Sequence, residues 1–462
     1  MKHPLYSLLM WLAQPVLRRK LTRRAVAEPG YAAAVEERFG DYPVPPDSGR
    51  VWIHAVSLGE TRAAAILLAE LRRQMPGMRL LLTHGTATGR AEGARLLQPG
   101  DVQVWQPWDT SGAVRRFLDH FQPSIGVLME TEVWPNLTAA CAGRGLPLVL
   151  ANARMSPRSY ARARRLRWLA RPVFGALAAV WAQTDGDAER LRGLGAPVLG
   201  VFGNLKFDAT PDPAQHELGR AWRARLARPV VMLASSREGE EAEFLQQISA
   251  IASVKWSNDA PESEVEMTRL TAPLAAAAPP AKTPGTSTDV QWLIVPRHPQ
   301  RFDGVAELIA GAGLSLSRRS QWRDGPSQDG PPESDGPTVW LGDSLGEMAL
   351  YYGLADVALL GGSFAPLGGQ NLIEAAACGC PVLMGPHTFN FADAAQLAQA
   401  AGAAREVPDM AVAVVAALDW LTQPVPLQAA REAGQNFTRG NRGAAAKTAA
   451  AVIDWIARDR AV

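Results

Sequence analysis

The chain has 462 residues, with 47 Lys and Arg against 45 Asp and Glu for a net charge of +2. That length exceeds what one hydrophobic core serves and implies two or three domains. The near-balanced charge gives no global field for nucleic acid. The three cysteines (Cys141, Cys378, Cys380) lack the partner pairs or histidines of a zinc site, and read as buried thiols of a reducing compartment.

The N-terminus is unlike the rest. Residues 5–17 are apolar and include Trp11, and Arg18, Arg19, Lys20, Arg23 and Arg24 follow. The run is shorter than the ~20 residues that span a bilayer comfortably. Its charge order is also wrong for a signal peptide. Residues 1–24 therefore read as an in-plane or shallow membrane anchor with a cytoplasmic basic flank. The alternative is a surface helix docked on its own domain.

After a Pro-rich hinge (Pro43, Pro45, Pro46), strands are expected at 51–55, 80–83, 102–105, 125–129, 147–151 and 180–183, with helices between them, the first at 59–74. Short apolar strands alternating with helices predict a parallel sheet covered on both faces. The segment Val56-Ser57-Leu58-Gly59-Glu60 follows the first strand. A desolvated Glu60 there suits a general base, while a glutamate complementing the helix dipole is the competing reading. In the segment 128–136 (LMETEVWPN), Glu130 and Glu132 alternate and would face opposite sides of a continued strand. Seven arginines (Arg154, Arg158, Arg162, Arg164, Arg165, Arg167, Arg171) follow without an acidic residue among them, which suits an anionic lipid surface. Asp185 and Asp187 read as helix caps rather than metal ligands. Lys206 lies beside a hinge at 208–213, placed to meet a carboxylate or phosphate.

The pattern restarts with strands at 230–234, 292–295, 339–341, 357–360 and 382–384. Two doubly wound domains facing a cleft are expected, at 25–210 and 211–462, with ligands beyond the carboxyl ends of the strands. Residues 253–288 read as a disordered insertion and 323–338 as a second flexible loop. Ser235, Ser236 and Arg237 follow one strand, and Arg297 and Arg301 follow the next, suited to phosphate. His298 reads as a structural, hydrogen-bonded histidine. Gly361, Gly362, Gly368 and Gly369 lead into a helix opening with Gln370 and Asn371. That arrangement suits a nucleotide phosphate, with Glu374 on the ribose.

In order along nearly the whole chain, the motifs SLGE, METEVWPN, NARMS, GNLKFD, PRHPQR, LGEM, GGSF and GPH resemble those of the 3-deoxy-D-manno-octulosonic acid (Kdo) transferases of lipopolysaccharide synthesis. The resemblance implies a GT-B arrangement of two Rossmann-like domains. It implies transfer of Kdo from CMP-Kdo to the lipid A precursor at the cytoplasmic face of the inner membrane, beside anionic phospholipid, without a metal or cofactor. Glu60 would be the general base, with Glu130 and Lys206 stabilising the transition state. Pro296, Arg297, Gly346, Glu347, Met348, Asn371, Leu372, Ile373 and Glu374 would hold CMP. The chain departs from the family's usual residues at Ser235-Ser236-Arg237, Gln370, Leu372 and Ala375. The competing functions are a UDP-sugar transferase or UDP-sugar 2-epimerase of the same fold, and a non-catalytic nucleotide sensor.

Overall fold

The computed structural model describes residues 4–254, 290–326 and 338–459. The insertion expected at 253–288 lies outside the described residues from 255 onward, as does most of the loop expected at 323–338. The chain forms two compact units, Met1–Ala209 with Asn441–Val462, and Thr210–Gly440. The second domain expected to reach the C-terminus therefore stops at Gly440. The helix Ala444–Asp459 returns to the first unit and packs on the helix Leu58–Gln74.

In the first unit the strands are β1 (Val51–His54), β2 (Leu80–His84), β3 (Val102–Trp105), β4 (Ile125–Met129), β5 (Leu148–Ala153), β6 (Ala179–Ala182) and β7 (Val198–Val201). They form one parallel sheet in the order β3-β2-β1-β4-β5-β6-β7. Alternation along each strand sends neighbours to opposite faces. Trp52, Leu128, Leu150 and Val180 join a core with Val114, Phe117, Phe121 and Leu137. Ile53, Val127, Val149 and Trp181 join the opposite core, with Leu67 and Leu71 and with Ala449, Val452 and Ile456 of the returning helix. Because both faces are covered, these strands read as unbroken apolar runs.

The second unit repeats the plan with β8 (Val230–Ser236), β9 (Gln291–Pro296), β10 (Ser315–Arg318), β11 (Thr338–Leu341), β12 (Val357–Leu360), β13 (Val382–Met384) and β14 (Ala404–Glu406). Their order is β10-β11-β9-β8-β12-β13-β14, again parallel. One face packs Val231, Ile294 and Leu359 against Phe244, Ile309 and Val414 from three helices. The sequence reading omitted β7, β10 and β14. All three are edge strands, and their incomplete burial removes the apolar run that marks the inner strands.

Candidate active site

In the first unit the sheet order reverses at β1, whose neighbours are β2 and β4. Doubly wound sheets open a crevice at the carboxyl ends of their strands where the order reverses. Glu60 follows β1 and Glu130 follows β4.

Ser57 caps the helix Leu58–Gln74, accepting from Glu60 N at 3.4 Å. Its hydroxyl donates to Glu60 Oε1 at 3.0 Å, and Val56 N donates to Oε2 at 2.9 Å. This reciprocal cap fixes the carboxylate, yet each oxygen keeps a second lone pair. Burial pushes the Glu60 carboxyl up to about 7, and the charges of Glu130 and Glu132 act in the same direction. The bonds from Val56 N and Ser57 oppose that shift. The dipole-complementing glutamate and the candidate base are thus the same group.

β4 stops at Met129, so the alternation expected for Glu130 and Glu132 does not arise. Glu130 has φ +58, its N–H donates to Ala151 O at 3.0 Å, and its carbonyl accepts from Arg154 N at 3.3 Å. Burial also raises the Glu132 carboxyl, with a further push from Glu130. Lys206 rides on the short turn Leu205–Asp208, where the Asn204 side chain accepts from Lys206 N at 3.0 Å. Its Nζ lies 3.9 Å from Glu130 Oε1. The fold thus brings Glu130 and Lys206 together, and the charge of Glu130 is felt at Glu60. Asp208 closes the turn by accepting from Gly443 N and Ala445 N at 2.6 and 2.7 Å.

In the second unit the expected nucleotide residues also follow carboxyl ends. Pro296 closes β9 and is buried, and half-buried Arg297 follows it. Arg297 Nε donates to Gln370 Oε1 at 3.2 Å, so a residue that departs from the family pattern orients this guanidinium. Gly346 has φ +79 and its carbonyl accepts from Gln215 Nε2 at 3.0 Å. Glu347 pairs with Arg319 at 2.9 Å and accepts from Ser344 Oγ, while Ser235 Oγ lies 3.8 Å from the Met348 sulfur. Asn371 caps the helix Leu372–Ala377 by accepting from Ile373 N at 3.2 Å, and Glu374 lies in its first turn. Leu372 and Ile373 are buried, so only their main chain can reach a ligand.

Three details depart from expectation. Arg301 does not stand free for phosphate, because it pairs with buried Glu241 at 2.7 and 3.0 Å. Thr184, not Asp185, caps the helix Asp185–Gly193. Asp187 is buried, accepting from Met155 N at 2.8 Å and pairing with Arg190 at 3.0 Å.

Sequence reasoning missed Glu240, a buried carboxylate that accepts from Arg237 N, Gly362 N and Phe364 N at 2.9, 2.7 and 3.2 Å. It shapes the glycine turn after β12 from a helix more than a hundred residues earlier in the chain. An acidic helix start was visible, but no local signal named its target. Gly361 is required there, since a Cβ would lie 2.5 Å from Ser235 O.

Residues 33–209 match the family model described as 3-deoxy-D-manno-octulosonic-acid transferase (kdotransferase). A 3-deoxy-D-manno-octulosonic acid transferase of Bordetella pertussis is 44% identical over 460 residues, covering 98% of this chain and 99% of that protein. The protein of the same name from Haemophilus influenzae is 30% identical over 449 residues, covering 95% of each. In fold, the chain is similar to a UDP-GlcNAc 2-epimerase of Neisseria meningitidis, with TM-score 0.53, 12% identity, and coverage of 88% of this chain and 100% of that one. That likeness speaks for the fold alone. Two parallel seven-stranded Rossmann-like units and identity sustained across nearly the full length agree: the chain belongs to the 3-deoxy-D-manno-octulosonic acid transferase family.

Proposed function

We propose that this Kdo transferase takes Kdo from CMP-Kdo and joins it to a sugar hydroxyl of the lipid A precursor, with Glu60 as general base. The observation that carries the reading is the Glu60 carboxyl. Burial raises it to about 7, and it feels the charge of Glu130, which itself lies 3.9 Å from Lys206. A base that titrates near the working pH combines a useful ionised fraction with enough basicity to take a hydroxyl proton. As CMP departs, the anomeric carbon becomes electron-poor and the acceptor oxygen attacks it, passing its proton to Glu60. Lys206, steadied by Glu130, offsets the carboxylate of the donor sugar. Arg297 and the main chain around Gly346, Leu372 and Ile373 hold CMP, with Glu374 toward the ribose. Arg297 meets the charge of the leaving phosphate, so chelator treatment leaves turnover unchanged.

The same reading puts the protein at the cytoplasmic face of the inner membrane. Leu5, Leu8, Leu9, Trp11 and Leu12 expose apolar surface from the helix Pro4–Leu12, and Trp168 is 66% exposed. Ser7 of that helix bonds to Asn136 at the start of the helix Pro135–Ala142, against which the Trp168-bearing helix Arg167–Gly175 also packs. No single helix among the described residues is long and apolar enough to cross a bilayer. Aromatic and aliphatic side chains beside arginines suit an interfacial contact with anionic lipid.

The test is incubation of the purified chain with CMP-Kdo and lipid A precursor, followed by mass analysis of the lipid. A lipid heavier by one or more Kdo residues, with CMP released, supports the reading. Unchanged lipid, or protection from heat by UDP but not by CMP, contradicts it.

A further inference from the structure

The geometry points to Asn152 as the residue that positions Lys206, an inference that rests on the assignment of Lys206 to the reaction. Asn152 is the fifth residue of β5, 2% exposed, at a point where the register between β5 and β6 shifts. Its φ is +51. Among residues with a side chain, asparagine is one of the few that enters the left-handed region readily. Gln183 Nε2 holds its carbonyl at 2.9 Å, and the main-chain bonds of Glu130 fall on either side of it, to Ala151 O and from Arg154 N. Two left-handed residues, Glu130 and Asn152, thus lie across β4 and β5 from one another.

From this bend the Asn152 side chain reaches the Lys206 turn. Oδ1 accepts from Leu205 N at 3.0 Å, a bond between residues 53 apart in sequence and buried from solvent. Leu205 is the first residue of the turn, and Lys206 is the next. The left-handed bend therefore has a use: it aims one side-chain oxygen at the main chain beneath Lys206, from the strand that also holds the Glu130 main chain. Asn152 Nδ2 is buried without a hydrogen-bond partner among the described residues. Asn152 touches no reacting atom in this reading. It acts through Lys206.

Steady-state kinetics with CMP-Kdo and lipid A precursor test this on four full-length variants: Asn152→Gly, Asn152→Asp, Lys206→Ala, and Asn152→Gly combined with Lys206→Ala. Glycine accepts φ +51 and removes only the tie to Leu205. Asn152→Gly is expected to lower kcat about 10- to 100-fold, the usual consequence of a small misplacement of a reacting group, with little change in KM for CMP-Kdo. Asn152→Asp keeps the acceptor oxygen and should recover most of that loss. In the Lys206→Ala background, Asn152→Gly should lower kcat by less than about twofold, because coupled residues are non-additive. Equal losses in both backgrounds, a parental rate for Asn152→Gly, or no recovery with Asn152→Asp would overturn the proposal alone. A parental rate for Lys206→Ala would remove the assignment of Lys206, and this inference with it.

Discussion

Glu60 bonds to the cap of its own helix and is also the proposed base, and its titration gives the first prediction. Burial holds its carboxyl up to about 7, well above the ordinary carboxylate range. The folded protein therefore favours neutral Glu60. That stabilisation is complete below the unfolded value near 4.5 and disappears as pH rises through about 7. Glu60→Gln removes the titration and keeps an acceptor for Val56 N. Its melting temperature relative to the parent should rise between pH 5 and pH 9, and a pH-independent difference would contradict the buried-carboxyl reading. Arg301 gives a second prediction. Arg301→Ala leaves Glu241, whose side chain is fully buried, without its cation. Loss of one partner from a buried pair typically costs about 3–5 kcal/mol, so chemical denaturation should show a drop of that order. Arg301 was misread from sequence for a simple reason. A strand followed by an arginine looks like a phosphate site, and its carboxylate partner lies 60 residues earlier. SLGE was legible because strand end, turn, cap and candidate base all lie within seven consecutive residues, His54 to Glu60.

The strands divide in the same way. Inner strands such as β1 and β12 are buried throughout and announce themselves as apolar runs. The edge strand β14 buries one of its three residues, and nothing in Ala-Arg-Glu signals a strand without its neighbour β13. The helix Ala444–Asp459 was read as part of the second domain because it follows that domain in sequence. Its apolar stripe of Ala445, Ala449, Val452 and Ile456 fits the Leu67 and Leu71 side of the first sheet, a partner nearly four hundred residues away that periodicity cannot name. Deleting residues 441–462 strips this cover. Full burial of a Val or Ile side chain is worth about 1.5–3 kcal/mol, so the deletion should cost at least about 3 kcal/mol in the unfolding of the first unit. An unchanged melting curve would show that the helix is dispensable to it.

Taken entire, the molecule is one chain that leaves its first unit after Ala209 and returns after Gly440. The return was hidden from sequence, whereas the family was open to it, because eight motifs recur in order at strand ends. The proposed membrane face belongs to the first unit, and Arg162, Arg164 and Arg165 are exposed on its helix Pro157–Arg165. Each arginine near an anionic surface contributes about 1 kcal/mol. Reversing all three to Glu should weaken binding to anionic vesicles and raise the acceptor KM, with CMP affinity unchanged. Parental flotation and acceptor saturation would make the cluster an ordinary solvated face. The chemistry itself is tested most directly by the turnover of Glu60→Gln with CMP-Kdo and lipid A precursor, measured beside its affinity for CMP. The expected result is a kcat lower by about 100-fold or more, the usual worth of a positioned base, at unaltered CMP affinity. Parental turnover in that variant would contradict Glu60 as the base.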